Sequence, residues 1–177
     1  GLGFAITEVL IEKGYKVVGF ARSVSTYKSD NLENAQVDLA KKEEVEKTIS
    51  FIKEKHAKFD CLVYCSGMLT VHDIDKLDYN EMELLYRVNV FAPMILESNL
   101  VPLIKENEAD IVNITSSVLI EFYSSFEEYS SAKAAIQKFT IDLQQELNET
   151  KARVIEFCPG AFASNIYKNM TVKKVNR

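Results

Sequence analysis

Three observations in the sequence predict a doubly wound α/β fold, with a parallel sheet flanked by helices in three α/β/α layers. First, four short apolar runs recur along the chain: KVVGF (16–20), CLVYC (61–65), IVNIT (111–115) and RVIEFC (153–158). Near-continuous apolarity over about five residues, rich in β-branched and aromatic side chains, suits a strand buried on both faces. Second, longer helical patterns separate these runs, and strands alternating with helices pair in parallel through right-handed crossovers. Third, 177 residues of 47% hydrophobic composition hold one sizeable core, and no repeat, low-complexity segment or linker divides them. One domain spanning 1–177 follows.

The elements can be justified in order. Residues 2–13 carry apolar side chains on most turns and stop at Gly14, a helix-ending residue. KVVGF is the next strand, and a further short strand ends before Asp38 in QVDL. KKEEVEKTISFIKEKHA (41–57) places Val45, Ile49 and Ile52 on one face of a helix with charges opposite. Its acidic run Glu43, Glu44 and Glu46 reads as a solvated face that suits the N-terminal dipole. After CLVYC, a long helical segment over 79–106 is interrupted by Pro93 and Pro102. IVNIT, a helix over 128–148 and RVIEFC complete the pattern.

Composition narrows the function classes. A formal net charge of -5 without a Lys/Arg block gives no footing for nucleic acid or a membrane surface, so small molecules and other protein chains are the expected partners. Three cysteines are too few and too irregularly spaced for a disulfide framework, and no apolar run approaches a membrane span. A cytoplasmic protein is expected. Cys61 and Cys65 are expected to share one strand face as a buried pair, and His56, His72 and Cys158 add no recognised ligand spacing, so no metal site is expected.

In open α/β sheets, ligands sit at the carboxyl ends of the strands. GLG, at Gly1, Leu2 and Gly3, opens the first helix, where glycine lets backbone approach a pyrophosphate held by free N–H groups; it is equally an ordinary tight turn. Past KVVGF stand Arg22 and Ser23, where an arginine accommodates a ribose 2′-phosphate and an acid would bind the free hydroxyl; a solvated surface arginine is the alternative. Asp38 is placed to accept from an adenine amino group or to cap the helix near Lys41. Ser66 and Gly67 end YCSG with small residues against which a nucleoside can lie.

The reactive half follows IVNIT. Ser116 stands at the strand's carboxyl lip, and Tyr129 and Lys133, at i and i+4, share one helix face. A phenol with an ordinary pKa near ~10 serves proton transfer at neutral pH only beside a cation, which Lys133 supplies. Ser130, Ser131, Ala132, Ala134 and Ala135 keep the neighbourhood thin enough for a flat ring. By spacing alone the pair is also that of an ordinary exposed helix face.

GLG, YCSG, Asn89 in YRVNV, NITSS, YSSAK and CPGAFAS occur in the order and at the separations of the short-chain dehydrogenase/reductase family, whose typical single-domain branch the chain resembles over nearly its whole length. The resemblance implies a Rossmann-like fold and an oxidoreductase that moves a hydride between NADP(H), preferred over NAD(H), and a carbonyl or alcohol. Asn89, Ser116, Tyr129 and Lys133 match the catalytic tetrad, with Tyr129 as general acid/base. Gly1 and Gly3 match the last two glycines of the phosphate turn, Arg22 the arginine of NADP-preferring members, and Asp38 the adenine contact. Pro159 and Gly160 match the turn before the nicotinamide-contacting segment, with Ser164 where threonine is usual.

The chain also departs from the family. NNAG reads Tyr64-Cys65-Ser66-Gly67, so asparagine contacts that brace the sheet are lost or replaced. The family's central first strand is expected to be missing ahead of Gly1, and its substrate-covering helices and final strand beyond Arg177. Leu119, Ile120, Phe122 and Phe126 are expected to wall an apolar pocket. Relatives pair through the helices carrying Asn89 and Tyr129, which implies a homodimer or homotetramer, with Leu84, Leu85, Val88, Ile136, Phe139 and Leu143 as surplus apolar residues. The competing reading is a non-catalytic NADP(H)-binding sensor or scaffold on the same fold.

Overall fold

A computed structural model describes residues 1–162 and 166. Its strands are β1 (Val17–Ala21), β2 (Leu32–Gln36), β3 (Cys61–Tyr64), β4 (Asp110–Ile114) and β5 (Val154–Phe157). The helices are α1 (Leu2–Glu12), α2 (Lys42–Lys55), α3 (Tyr79–Tyr86), α4 (Ala92–Asn107) and α5 (Glu127–Glu146). Each predicted apolar run carries its strand, and every pairing is parallel.

The strands form two sheets, β1-β2 and β3-β4-β5. Among the described residues no ladder joins β1 to β3, so the predicted parallel sheet is interrupted at its middle; Val18, Phe20, Cys61 and Leu62 line a small apolar gap there. Cys61 is exposed on β3, while Cys65 lies past the strand's end. The two cysteines therefore do not form the expected buried pair: the strand stops at Tyr64, and with it the alternation that would have kept them on one face.

The core forms where α2, α4 and α5 meet the second sheet. Ile52 of α2, Leu100 and Ile104 of α4, Leu143 of α5, Ile111 of β4 and Val154 of β5 make one buried cluster. The predicted face of α2, Val45, Ile49 and Ile52, is buried as its 3.6-residue period requires. None of α1 is buried. No helix among the described residues is long and apolar enough to cross a membrane.

The long helical segment breaks before Pro93 rather than at it. Arg87–Phe91 forms a π-helical turn between α3 and α4, and Pro93 follows inside the first turn of α4. A proline ring clashes with the carbonyl four residues back, here that of Asn89, and one widened turn relieves the clash. Pro102, by contrast, is carried inside α4 without ending it, where the flanking Leu100 and Ile104 are wholly buried.

A polar spine crosses this core. Asn113 of β4 donates from Nδ2 to Glu97 Oε2 of α4 at 3.1 Å and to Thr140 Oγ1 of α5 at 3.0 Å. Glu97 is wholly buried, and its Oε1 and the Asn113 Oδ1 have no partner among the described residues, so a proton on the carboxyl supplies a donor among acceptors. Burial pushes the Glu97 carboxyl from 4.5 up to about 7. Between those two values the folded chain binds more protons than the unfolded one, so this group's contribution to stability is full below the lower value and falls as pH rises to the upper one. Glu97→Gln should therefore unfold at a higher temperature than wild type at pH 8, with the gap closing as pH is lowered below about 5. Thermal melts across that range check it; a gap that does not change with pH refutes the assignment.

Candidate active site

The carboxyl ends of all five strands and the start of α1 border one cleft of about 630 Å³, within the roughly 300–1,000 Å³ of small-ligand sites. Gly1, Leu2 and Gly3 lie on its wall. Gly1 caps α1 with no side-chain hydrogen bond, so backbone N–H groups of the first turn are left for a ligand. A Cβ on Gly3 would meet Cys65 Cβ at 3.4 Å, which fits glycine's place in a turn pressed against the β3 end. Arg22 and Ser23, just past β1, and Asp38, past β2, line the same end of the cleft.

Asp38 is not the cap of α2. That cap is Lys41, while Asp38 Oδ1 accepts from Ala40 N at 3.1 Å in a local turn, and Asp38 N donates to Glu44 Oε2. Glu44 also takes the Lys41 ammonium at 3.0 Å. Of the two sequence alternatives for Asp38 the structure removes the helix cap, and the residue lines the cleft.

At the other end stand Ser116, Tyr129 and Lys133. Ser116 follows β4 and caps a short 3₁₀ turn, its Oγ accepting from Val118 N at 3.4 Å, which leaves the hydroxyl proton for a ligand. Tyr129 and Lys133 are both buried in the first turns of α5, with the Lys133 ammonium 5.7 Å from the Tyr129 ring centroid. Lys133 Nζ donates to the Ile114 carbonyl at 2.7 Å, fastening α5 to the end of β4. Burial pulls this ammonium from 10.5 down to about 8. Pro159 and Gly160 close the cleft beyond β5, and Pro159 O accepts from Ser117 N at 2.9 Å.

Asn89 stands behind the cleft wall rather than on it. It is buried in the π turn, with Oδ1 accepting from Met68 N and Nδ2 donating to Met68 O, both at 2.9 Å. The side chain thus holds the segment after β3, where a Cβ on Gly67 would sit 3.5 Å from Asn89 Oδ1 and 3.9 Å from Lys133 Nζ. Ser66 and Gly67 line the cleft as expected, and Ser164 lies outside the described residues. Of the expected pocket wall only Phe126 faces the cleft; Ile120 and Phe122 are exposed at 75% and 102%. The 3₁₀ turn, closed by bonds from Ile120 N and Glu121 N to Ser117 O, turns them outward before α5 brings Phe126 back. Leu69, Val118 and Tyr123 stand in the wall instead. Cys65 was also missed, because its i+4 spacing to Cys61 reads as one strand face.

The family model for short chain dehydrogenase matches residues 1–174. The chain belongs to the short-chain dehydrogenase family. That membership makes its class the nicotinamide-dependent oxidoreductases. An uncharacterized oxidoreductase of Staphylococcus saprophyticus is 29% identical over 171 residues, covering 90% of this chain and 73% of the relative. An NADP-dependent 3-hydroxy acid dehydrogenase of Shigella flexneri is 24% identical over 181 residues, covering 98% and 73%. The crystal structure of a short-chain dehydrogenase from Streptomyces avermitilis superposes with a TM-score of 0.86 at 26% identity, over 94% of this chain and 65% of that one.

The lysine environment has a consequence for stability. Between about pH 8 and 10.5 the unfolded chain holds the Lys133 proton and the folded chain does not, so the penalty for burying the charge is full below pH 8 and fades as pH rises through that window. Lys133→Met is expected to melt above wild type at pH 7, with the two curves converging as pH approaches 10. A variant less stable than wild type at pH 7 would show that the Ile114 bond outweighs desolvation.

Proposed function

We propose that the protein is an NADP(H)-dependent carbonyl reductase of this family, with Tyr129 as general acid. The observation that carries the reading is the meeting of Ser116, Tyr129 and Lys133 at one end of a cleft whose other end offers an uncapped helix N-terminus and Arg22. The residues suit a dinucleotide: free N–H groups for its pyrophosphate, Asp38 for its adenine, and the thin wall of Ser66 and Gly67 for its flat rings, whereas Ala132, wholly buried, serves the core rather than the cleft. When bound there, the nicotinamide supplies the hydride.

The side chains divide the remaining work. Ser116 donates its hydroxyl proton to the substrate oxygen and holds it. Tyr129 gives that oxygen its phenolic proton as the carbonyl becomes an alcohol, and Lys133 stabilises the phenolate left behind. Asn89, by holding Met68 and through its own main chain, orders the route by which the proton is replaced from solvent. The apolar wall of Leu69, Val118, Tyr123 and Phe126 suits a carbonyl carried on an apolar body.

Arg22 supports the preference for NADP(H), because a guanidinium past β1 matches a 2′-phosphate in charge and fork geometry. The enzyme acts in the cytoplasm as a homodimer or homotetramer. Leu85, Ile136 and Leu143 turn out to pack inward, but Leu84, Phe91 and Ile95 stay 41%, 52% and 48% exposed around the π turn and supply an apolar face for a second copy.

Tyr129→Phe keeps the ring and removes the proton, and a general acid contributes roughly 10²–10⁴ in rate. NADPH oxidation against ketones, diketones, aldehydes and quinones should fall by about that factor in the variant; a wild-type rate would sink the mechanism. Binding of NADPH by the wild type with no turnover on any substrate would instead favour a nucleotide sensor. In the same assay, Arg22→Asp should move the ratio of kcat/KM for NADPH over NADH toward NADH by about tenfold or more, the scale of a lost charge-assisted contact. An unchanged ratio would remove Arg22 from cofactor choice.

A further inference from the structure

The tyrosine that opens YCSG has a partner that no part of the proposed mechanism uses. Tyr64, the last residue of β3, donates from its hydroxyl to the Val88 carbonyl at 2.6 Å. Val88 lies inside the π turn, and its carbonyl has neither its α-helical nor its π-helical donor. An α-helical partner would be the N–H of Ala92, but that N–H bonds Arg87 O instead. A π-helical partner would be residue 93, a proline, which has no N–H. A carbonyl left unpaired in the interior costs on the order of 1–3 kcal/mol, so a donor is needed at this point. Tyr64 reaches it across the sheet–helix interface.

What hangs from that turn is the floor of the active site. Asn89, the next residue, grips Met68 through both its N–H and its carbonyl. Met68 ends the segment Cys65–Met68, all of which lines the cleft and whose Gly67 lies against Lys133. Two ties therefore run between β3 with its following loop and the π turn: Tyr64 to Val88, and Met68 to Asn89. Together they hold the turn at two successive residues, Val88 and Asn89.

We propose that Tyr64 is a positioning residue for the reaction: its hydroxyl takes the Val88 carbonyl that Pro93 leaves without a donor, and so fixes the Asn89 turn that sets the cofactor-facing loop beside Lys133. Tyr64 touches no reacting group. The substitution of tyrosine for the asparagine expected at this position thus replaces one brace of the sheet with another, aimed at the helix that carries Asn89.

The proposal rests on the reductase reading, and its test separates the two. In the full chain, Tyr64→Phe removes one hydroxyl and keeps the ring. Amide hydrogen exchange at Met68 and over residues 89–91 should speed up by about tenfold or more, and kcat should fall about tenfold with the substrate KM changed less than twofold. In Asn89→Ala the same Tyr64→Phe change should add less than twofold to the loss of kcat, since the second tie is already gone. Unchanged exchange at Met68, or losses that multiply independently in the double variant, would overturn the proposal. If Tyr64→Phe does not fold, the wild type still decides: a Met68 amide that exchanges as fast as an open loop rules the clamp out, and one protected like Val63 in β3 supports it. If the wild type turns over no carbonyl, the reductase reading fails, while the exchange at Met68 continues to judge the clamp.

Discussion

The hydrogen bond from Lys133 to the Ile114 carbonyl is the constraint on which the reactive half of the cleft depends. It joins the second turn of α5 to the end of β4, and both neighbours inherit their positions from it. Tyr129 lies one turn earlier on the same helix face, and Ser116 lies two residues beyond Ile114. Ser116, Tyr129 and Lys133 are thus held together at this end of the cleft by a contact between backbone and side chain, with the Asn113–Thr140 bond holding α5 to β4 farther along the helix. The contact works because Ala132 is wholly buried and adds no bulk, so α5 can approach the strand ends closely enough for an ammonium to reach a carbonyl. Burial weakens that ammonium's hold on its proton, and a proton held less tightly is of more use in a relay.

The same architecture explains why so many polar groups are buried in a small fold. Asn113 bridges α4 and α5 from β4, Tyr64 bridges β3 to the π turn, and Asn89 bridges that turn to the loop after β3. Each bond runs between the sheet or its following loop and the helical layer and fixes register more than it adds stability, since a buried polar pair gains little net over well-packed apolar groups. Glu97 shows the cost most directly: its second oxygen has no partner among the described residues, and burial makes the carboxyl hold its proton to about pH 7. Specific placement of the cleft walls is what such bonds contribute.

Much of the fold was legible, for identifiable reasons. A strand inside a sheet layered by helices is mostly apolar, so the runs IVNIT and CLVYC marked β4 and β3, although Cys61 is exposed on β3, and the 3.6-residue face of α2 was marked likewise. The site was legible where its chemistry is local: Tyr129 and Lys133 are four residues apart, and Ser116 stands directly after a strand. It was illegible where partners are distant in sequence. That Asn89 would spend its side chain on Met68, or that Tyr64 would serve a carbonyl orphaned by Pro93, depends on contacts across more than twenty residues. Phe122 misled because a hydrophobic residue near a site reads as wall, whereas its direction is decided by a 3₁₀ turn that leaves no periodic signal.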